Sequence, residues 1–469
     1  MSTTYERKLI LLTTSIAAFL SPFTSSLISF AVPKIGETFK ANFTQVVWLP
    51  LGFLIVLASF MILFGKISDE YGRVKIFRLG FIIFLIGSSL IYFSMNIYML
   101  IGLVFFTGLG AAFIGTNSTA IVSHVYPQNI RGGALGINTM SVYLGLTAAP
   151  FLGGILIQYF GWHSIFLIDV PIALVGLIIS FFTMRNLDIK GKNVKIDIKG
   201  ALIFTVGLFS TIFYLSISQV YGWISMIYLL VIGILLLTIF VLTETKSANP
   251  ILDISLFTKN RTFAASNFTA FLNYISTFSI VFVFSIYLQV MLKYNPFNAG
   301  IILVSEPVFM VLFSPISGKL ADKYGSREIA AIGMGVIGVS FLVLSFLKVT
   351  SVWSIIIPLS MIGVGFGLFS APNTNSVMGS VSREKYGVAA GTLGTMRFTG
   401  QLLSIALAST ILAASLPRTM LLGLFSGAQS TITLSYYNAF VSGFKVVMLI
   451  SGILSLVGVY TSLLKNKRT

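Results

Sequence analysis

The sequence predicts an all-α membrane protein with about fourteen transmembrane helices, and two observations carry this prediction. Hydrophobic residues make up 56% of the 469 residues, only 9% are charged, and the mean hydropathy is +0.96. This composition excludes an ordinary soluble domain. Apolar runs of about 20 residues, the length that crosses a bilayer core, recur from Leu9 to Leu464. The short turns between these runs favour antiparallel neighbours.

The predicted spans form groups of six, two and six. The first six cover about residues 9–31, 45–65, 75–94, 97–122, 134–158 and 163–184. Two more follow at about 200–219 and 223–243, and the last six cover about 262–290, 297–317, 328–347, 353–376, 387–415 and 438–464. We therefore expect an N-terminal six-helix bundle in residues 1–184, a linker with two extra helices in 185–261 and a C-terminal six-helix bundle in 262–469.

A short charged turn occurs at equivalent places in the two halves, and this repetition indicates an internal repeat. Glycine permits a tight reversal, the aspartate can cap or pair at a helix end, and the basic residues can face lipid headgroups. We expect each aspartate to pair with the following arginine and to latch helix ends. The residues of these loops are Gly65, Asp69, Gly72, Arg73 and Lys75 in the first copy and Gly318, Asp322, Gly325 and Arg327 in the second.

The distribution of basic residues predicts that both termini are cytoplasmic. With the N-terminus inside, 23 Lys and Arg residues fall in inner loops and tails and five fall in outer loops, as the positive-inside rule requires. The net charge of +17 is spread over short loops, so we expect membrane lipids rather than nucleic acid as its partner. A multi-pass protein of the plasma membrane is therefore expected, and we expect it to be a monomer.

Several chemistries have no support in the sequence. With no cysteine there is no disulfide framework, thiolate chemistry or cysteine metal site. No G-x-x-x-x-G-K-[ST] phosphate-binding motif occurs, so we do not expect ATP hydrolysis by this chain to drive transport. The sequence predicts no cofactor, no metal and no enzyme activity.

Predicted span 5 carries a stripe of small residues. Gly145, Ala149 and Gly153 recur every four residues, next to Pro150 and Gly154. Such a stripe permits close backbone contact, and the proline adds a kink. Ordinary tight packing is one interpretation of this motif.

These motifs resemble the major facilitator superfamily, and in particular its fourteen-span drug:proton antiporter branch. The repeated turn resembles the loop between the second and third helices of each half. Span 5 resembles the antiporter signature G-x-x-x-G-P-x-x-G-G, with Ala149 replacing one glycine. Residues 161–171 and the Gly363-x-Gly365-x-Gly367 run also fit the branch. The resemblance covers nearly the whole chain and implies the major facilitator fold and proton-coupled efflux of hydrophobic or cationic drugs by alternating access.

Departures from the branch leave other functions open. Thr24 stands where an aspartate is usual in span 1, so no proton carrier is expected there. Leu103 and Thr107 replace an arginine and a glutamine in span 4, and Asp169 replaces an asparagine. The alternatives are a facilitator or symporter for a specific small metabolite and, in another class, a membrane receptor that does not transport.

Two acids lie within predicted spans, where ionisable residues are rare and functional by default. Glu306 is near the middle of span 10, and Asp169 is about two turns from the outer face and close to water. We expect Glu306 to carry the coupling proton and to approach Arg397, with a static ion pair as the alternative. Polar side chains expected to line a substrate cavity, or else to bond neighbouring helices, include Asn117, Asn373, Asn375 and Gln401.

Overall fold

The computed structural model describes residues 4–185, 187, 197–246, 254–346, 351–381, 386–417 and 434–465, without the side chains of a few residues inside helices. Within these ranges the fold is built from helices and contains no strand. Fourteen of its helical segments are long and apolar enough to cross a membrane. The predicted all-α membrane fold is therefore confirmed, and its span count agrees with the sequence.

The helices follow the predicted order. The first half contains α1 (Thr4–Phe39), α2 (Phe43–Tyr71), α3 (Arg73–Ile91), α4 (Ile97–Val125), α5 (Gln128–Phe160), α6 (Ser164–Leu167) and α7 (Asp169–Thr183), and a hairpin of α8 (Ile198–Tyr221) and α9 (Ile227–Lys246) follows. The second half contains α10 (Ile254–Lys259), α11 (Arg261–Thr277), α12 (Ile280–Ile286) with a π-helical turn at Tyr287–Met291, α13 (Pro296–Leu303), α14 (Ser305–Tyr324), α15 (Ser326–Phe346), α16 (Trp353–Gly379), α17 (Tyr386–Ser415) and α18 (Leu434–Leu463).

The α8–α9 hairpin lies against the seam between α2 of the first half and α17 of the second. On the α2 side, the ring centroid of Trp48 is 5.9 Å from that of Phe209 and 5.7 Å from that of Phe213. On the α17 side, the Thr410 hydroxyl donates to the backbone oxygen of Leu215 at 3.1 Å. The two extra helices thus pack on both halves through α8.

The two repeated turns have the same conformation. Gly72 is the single residue between α2 and α3, and Gly325 is the single residue between α14 and α15. Their φ angles are 104° and 100°, in the region that favours glycine. Each turn therefore reverses the chain within one residue, and Arg73 begins α3 directly after the first turn.

The latch predicted for these turns stays a prediction, because the side chains of Asp69 and Asp322 lie outside the described part of the chain. The Arg327 guanidinium donates through Nη1 to the backbone oxygen of Lys465 at 3.3 Å. Lys75 is exposed. Gly65 and Gly318 differ in how closely they are packed. A Cβ on Gly65 would lie 3.2 Å from Thr116, whereas one on Gly318 would meet no atom within 4 Å.

The helices of spans 6 and 10 are interrupted next to the two intramembrane acids. Proline lacks an N–H and its ring crowds the carbonyl four residues earlier. Pro171 and Pro307 therefore coincide with the ends of α6 at Leu167 and α13 at Leu303. Asp169 and Glu306 consequently lie in the first turn of the helices that restart after the breaks.

Predicted span 9 is also interrupted, between α11 and α12. The backbone N–H of Ser279 donates to the Ser404 hydroxyl of α17 at 2.9 Å instead of to a helical carbonyl. The Ser404 side chain of α17 thus provides the hydrogen-bond acceptor that the interrupted helix lacks for this N–H group. Spans 6, 9 and 10 are thus each built from more than one helical segment, because local packing and proline decide these positions.

Alternation of the spans defines two sides of the molecule. We call the side that carries the start of α1, the end of α18, Gly72 and Gly325 the terminal side, and the other the opposite side. Toward the opposite side the halves touch: the Ser285 hydroxyl donates to the Ser29 backbone oxygen at 3.1 Å, and the Gln289 amide donates to the Phe30 oxygen at 3.2 Å. The two halves are therefore joined on the opposite side in this conformation.

Candidate functional site

A cavity lies between the two halves at the depth of Glu306. The first half contributes Ser26 and Ser29 from α1 and Leu146 from α5. The second half contributes Glu306, with an aromatic and polar wall that includes Tyr274, Thr277, Phe278, Met310 and Phe366. The cavity volume is about 50 Å³, well below the roughly 300–1,000 Å³ of small-molecule sites. A drug-sized molecule therefore enters only after the halves move apart.

Glu306 is the acid of this cavity. Its carboxylate forms no hydrogen bond or ion pair with any described residue, although the side chain is largely covered. Its backbone is held tightly, because Gly363 of α16 leaves no room for a Cβ beside the Glu306 carbonyl. The next carbonyl, that of Pro307, accepts a hydrogen bond from Thr147 of α5 at 3.3 Å. Glu306 is thus fixed by its backbone while its carboxyl group faces the cavity.

The expected approach of Arg397 to Glu306 does not occur in this structure. No ion pair within 4.0 Å joins the two side chains. The Arg397 guanidinium instead acts electrostatically on the phenols of Tyr143 and Tyr274 and lies 4.6 Å from the ring centroid of Phe398. Arg397 is thus a neighbour of Tyr274, one residue of the cavity wall.

Asp169 is not close to water, contrary to the sequence-based expectation. Its exposed fraction is 0%, and its Oδ2 lies 2.8 Å from the Thr24 hydroxyl of α1. The other carboxyl oxygen has no partner among the described residues. Sequence reasoning treated Thr24 and Asp169 separately, because only the packing of α7 on α1 shows that the acid contacts this threonine.

The polar candidates mostly bond neighbouring helices rather than line the cavity. The Asn117 amide donates to the Ser68 hydroxyl at 2.8 Å and joins α4 to α2. The Asn373 amide donates to the Ser266 backbone oxygen at 3.2 Å. Asn375 is exposed, and Gln401 is buried without being part of the cavity wall.

Lys465, directly after α18, is a buried cation that sequence reasoning assigned to a tail. Its exposed fraction is 2%, and its amine donates to Asn373 Oδ1 at 2.8 Å. No carboxylate of the described side chains lies within 4.0 Å of this amine. Burial disfavours the charged form and lowers the pKa of Lys465 from 10.5 to about 7. This group braces the terminal side of the second half and titrates near neutral pH.

The small-residue motif of α5 serves two interfaces. A Cβ on Gly145 would lie 2.5 Å from the Phe19 oxygen of α1, and Gly153 also faces α1. Ala149, on the same stripe, is fully buried. Gly154 faces the other half, where a Cβ would lie 2.8 Å from the Pro296 oxygen of α13.

The contact between α5 and α13 is reciprocal. A Cβ on Gly300 of α13 would clash with the Pro150 backbone oxygen and lie 3.3 Å from the Cα of Gly154. The motif therefore sets how closely the two halves approach on the opposite side, in addition to ordinary packing within the first half.

Most of the cavity wall was missed by sequence reasoning. Met310 was recognisable, because it follows Glu306 by one helical turn. Ser26 and Ser29 belong to a run of hydroxyl residues on α1 between Ser21 and Ser29, and this local polarity was an available signal. Tyr274 and Phe366 resemble many other aromatic residues of the chain, so only the folded structure identifies them.

Comparison with known proteins decides the family. The family model of the major facilitator superfamily matches residues 14–405 and 266–468. The chain belongs to the major facilitator superfamily. Members of this family are transporters and not enzymes, and the chain is accordingly a multi-pass membrane transport protein.

Relatives within this superfamily differ in their named substrates. The chain is 31% identical over 412 residues to the riboflavin transporter RibZ of Clostridioides difficile, covering 88% of this chain and 89% of the relative. It is 26% identical to the multidrug resistance protein Stp of Mycobacterium tuberculosis, covering 88% and 77%. It is also 26% identical to the methylenomycin A resistance protein of Bacillus subtilis, covering 87% and 88%. Drug-resistance proteins are therefore among its relatives.

Solved structures agree on the fold. A bacterial homologue of the human lysosomal transporter Spinster, in an inward-facing occupied conformation, has a TM-score of 0.69 at 14% identity and covers 99% of this chain and 97% of its own. A bacterial homologue of human drug peptide transporters has a TM-score of 0.64 at 14% identity, covering 99% and 98%. At this identity the likeness establishes the superfamily fold alone.

Proposed function

We propose that this protein exports small hydrophobic or cationic aromatic molecules in exchange for protons, with Glu306 as the carrier of the coupling proton. The observation that carries the proposal is an acid in the cavity between the halves that has no hydrogen-bond or ion-pair partner among the described residues. Aromatic faces and hydroxyl groups around it suit a flat amphipathic substrate. A cationic substrate and a proton compete for such a carboxylate, and this competition is the basis of exchange.

Alternating access provides the route. The halves meet on the opposite side through α5 and α13, and the central cavity is too small for a substrate. Rocking of one half against the other then exposes Glu306 to one side at a time. We place both termini in the cytoplasm and the protein in the plasma membrane as a monomer. The loops at Asp69 and Asp322 lie on the same side and are proposed to bias the equilibrium between the two states.

A flux assay tests the proposal. Purified protein is reconstituted in proteoliposomes, a pH gradient is imposed, and accumulation of ethidium is followed by fluorescence. Glu306→Gln, which mimics the protonated acid, should abolish gradient-driven accumulation and retain exchange of ethidium across the membrane at equal pH. The control is Glu37→Gln, an exposed acid paired with Lys34 at 2.7 Å, which should transport normally. Undiminished accumulation by the Glu306 variant contradicts the proposal.

A second candidate function is transport of a specific metabolite of the flavin type. The 31% identity to a riboflavin transporter over 88% of the chain favours it. The same liposomes are assayed with riboflavin as the probe. Saturable riboflavin flux without ethidium flux would replace the drug proposal, whereas flux of both would indicate a broad aromatic specificity.

A further inference from the structure

The contact between Thr24 and Asp169 contains more acceptors than one hydroxyl can satisfy. Thr24 Oγ1 lies 2.9 Å from the Leu20 backbone oxygen and 2.8 Å from Asp169 Oδ2. A threonine hydroxyl has one hydrogen to donate and two lone pairs to accept with. If Asp169 is ionised, both neighbouring oxygens are acceptors and compete for the same hydrogen.

A protonated Asp169 resolves this competition. Its Oδ2–H then donates to Thr24 Oγ1, and the Thr24 hydroxyl donates to the Leu20 oxygen. Both short contacts become complete hydrogen bonds. Asp169 Oδ1 has no donor among the described residues, which is far less costly for the carbonyl of a neutral acid than for a carboxylate.

Within the described part of the chain, no charged group forms an ion pair with Asp169. On α3, which packs on α7, Arg78 faces this helix but donates to the Ser180 oxygen at 2.7 Å. Ser180 is about 16 Å along α7 from Asp169. On α1, Lys34 is about 15 Å from Thr24 along the helix and pairs with Glu37.

The segment before α7 offers no counter-charge either. His163 stacks on the Trp162 ring at 3.7 Å between ring centroids, in the loop that precedes α6. Burial lowers the pKa of His163, so this imidazole is neutral at physiological pH. An ionised Asp169 would therefore be buried in the membrane without a cationic partner from the described residues.

We propose that Asp169 and Thr24 form a second proton-binding site, inside the first half and separate from the Glu306 cavity, which is occupied in this conformation and exchanges its proton during the transport cycle. α1 connects the two places. Thr24 contacts Asp169, while Ser26 and Ser29 line the cavity and the Ser29 oxygen accepts the hydrogen bond from Ser285. When that bond breaks and α1 moves, Asp169 loses its partner and can release the proton to water.

The protonation state of Asp169 can be measured without any substrate. Infrared spectra are recorded in lipid at about pH 7 for Glu306→Gln and for Glu306→Gln with Asp169→Asn. The difference should contain the carbonyl band of one protonated carboxylic acid. Absence of this band would show that Asp169 is ionised and would overturn the proposal, whatever the outcome of the flux assay on Glu306.

Three further variants keep the test informative if Asp169→Asn fails to fold. Thr24→Val removes the hydroxyl, and it should shift the Asp169 band, whereas Thr24→Ser should leave the band in place. Exchanging the two residues, Thr24→Asp with Asp169→Thr, moves the carboxyl group to α1 within the same pocket and should restore the acid band. An unshifted band in Thr24→Val would contradict the assigned hydrogen bond.

Exchange of the proton is tested by transport. Asp169→Asn should lower pH-driven accumulation of ethidium about tenfold or more and leave exchange of ethidium at equal pH intact, and the exchanged pair should recover accumulation. If Asp169→Asn transports like the parent protein while the acid band is present, Asp169 is a permanently neutral brace and the proposed exchange is wrong.

Discussion

Replacing Gly154 by alanine is expected to open the opposite side of the protein. The new Cβ would lie 2.8 Å from the Pro296 oxygen and 3.2 Å from the Cα of Phe297, both backbone atoms of the other half. Ordinary contacts of a Cβ begin at 3.4 Å, so α5 and α13 must separate by about 0.6 Å. Neither partner can rotate away, because both are backbone.

The size of the effect follows from this overlap. Overpacking against atoms that cannot yield destabilises a contact by about 1–3 kcal/mol. The penalty falls only on the conformation in which α5 and α13 touch, so the equilibrium between the two states should shift by roughly 5–150-fold toward the state that is open on the opposite side.

Cysteine labelling measures this shift, because the chain has no cysteine of its own. A single cysteine replaces Ser285, which is fully buried where the halves meet. A maleimide that does not cross membranes is applied from the opposite side. Adding Gly154→Ala should raise the labelling rate about fivefold or more.

The matched control is Gly153→Ala. Its Cβ would lie 2.9 Å from the Leu27 side chain and 3.1 Å from the Phe30 ring, both on α1 of the same half. This substitution strains packing without touching α13, so labelling of the cysteine should not change. Equal rates for Gly154→Ala and the parent, or an equal increase for both alanine variants, would refute the assigned role of Gly154.

Three other predictions concern the terminal side, the hairpin and the topology. Lys465→Met should raise stability at neutral pH by about 1–4 kcal/mol, because the buried amine has a lowered pKa. Since the unfolded chain binds the extra proton between about pH 7 and about pH 10.5, parent stability should rise with pH across that window. Melting in detergent should show this rise for the parent and lose it in the variant; a variant with the parent's pH dependence contradicts the assignment. Thr410→Val should weaken hairpin docking by about 1 kcal/mol, seen as faster proteolysis after α9, and an unchanged rate would mean that the bond to Leu215 is dispensable. A cysteine replacing Glu6 should resist impermeant reagents applied outside cells, and labelling there would invert the topology.

Hydropathy and repetition were sufficient to predict the architecture. A run of about 20 apolar residues has one stable arrangement in a bilayer, a helix that satisfies its own backbone, so the spans follow directly from the sequence. The two turns ending in Gly72 and Gly325 indicated the repeat, because glycine with a positive φ permits a one-residue reversal. The rarity of charge within the spans also singled out Glu306 and Asp169 as the acids to examine.

What surrounds each acid was decided by tertiary structure alone. Thr24 and Asp169 are 145 residues apart in the chain, and only the packing of α7 on α1 brings them into hydrogen-bond distance. Arg397 was expected at Glu306 from its depth in the membrane, yet depth does not determine which way a side chain points around its helix. Arg397 lies beside Tyr274 instead and forms no ion pair with Glu306. The position of a residue along its span determines its depth in the membrane. Its orientation around the helix axis and its neighbours depend on the contacts among all the helices.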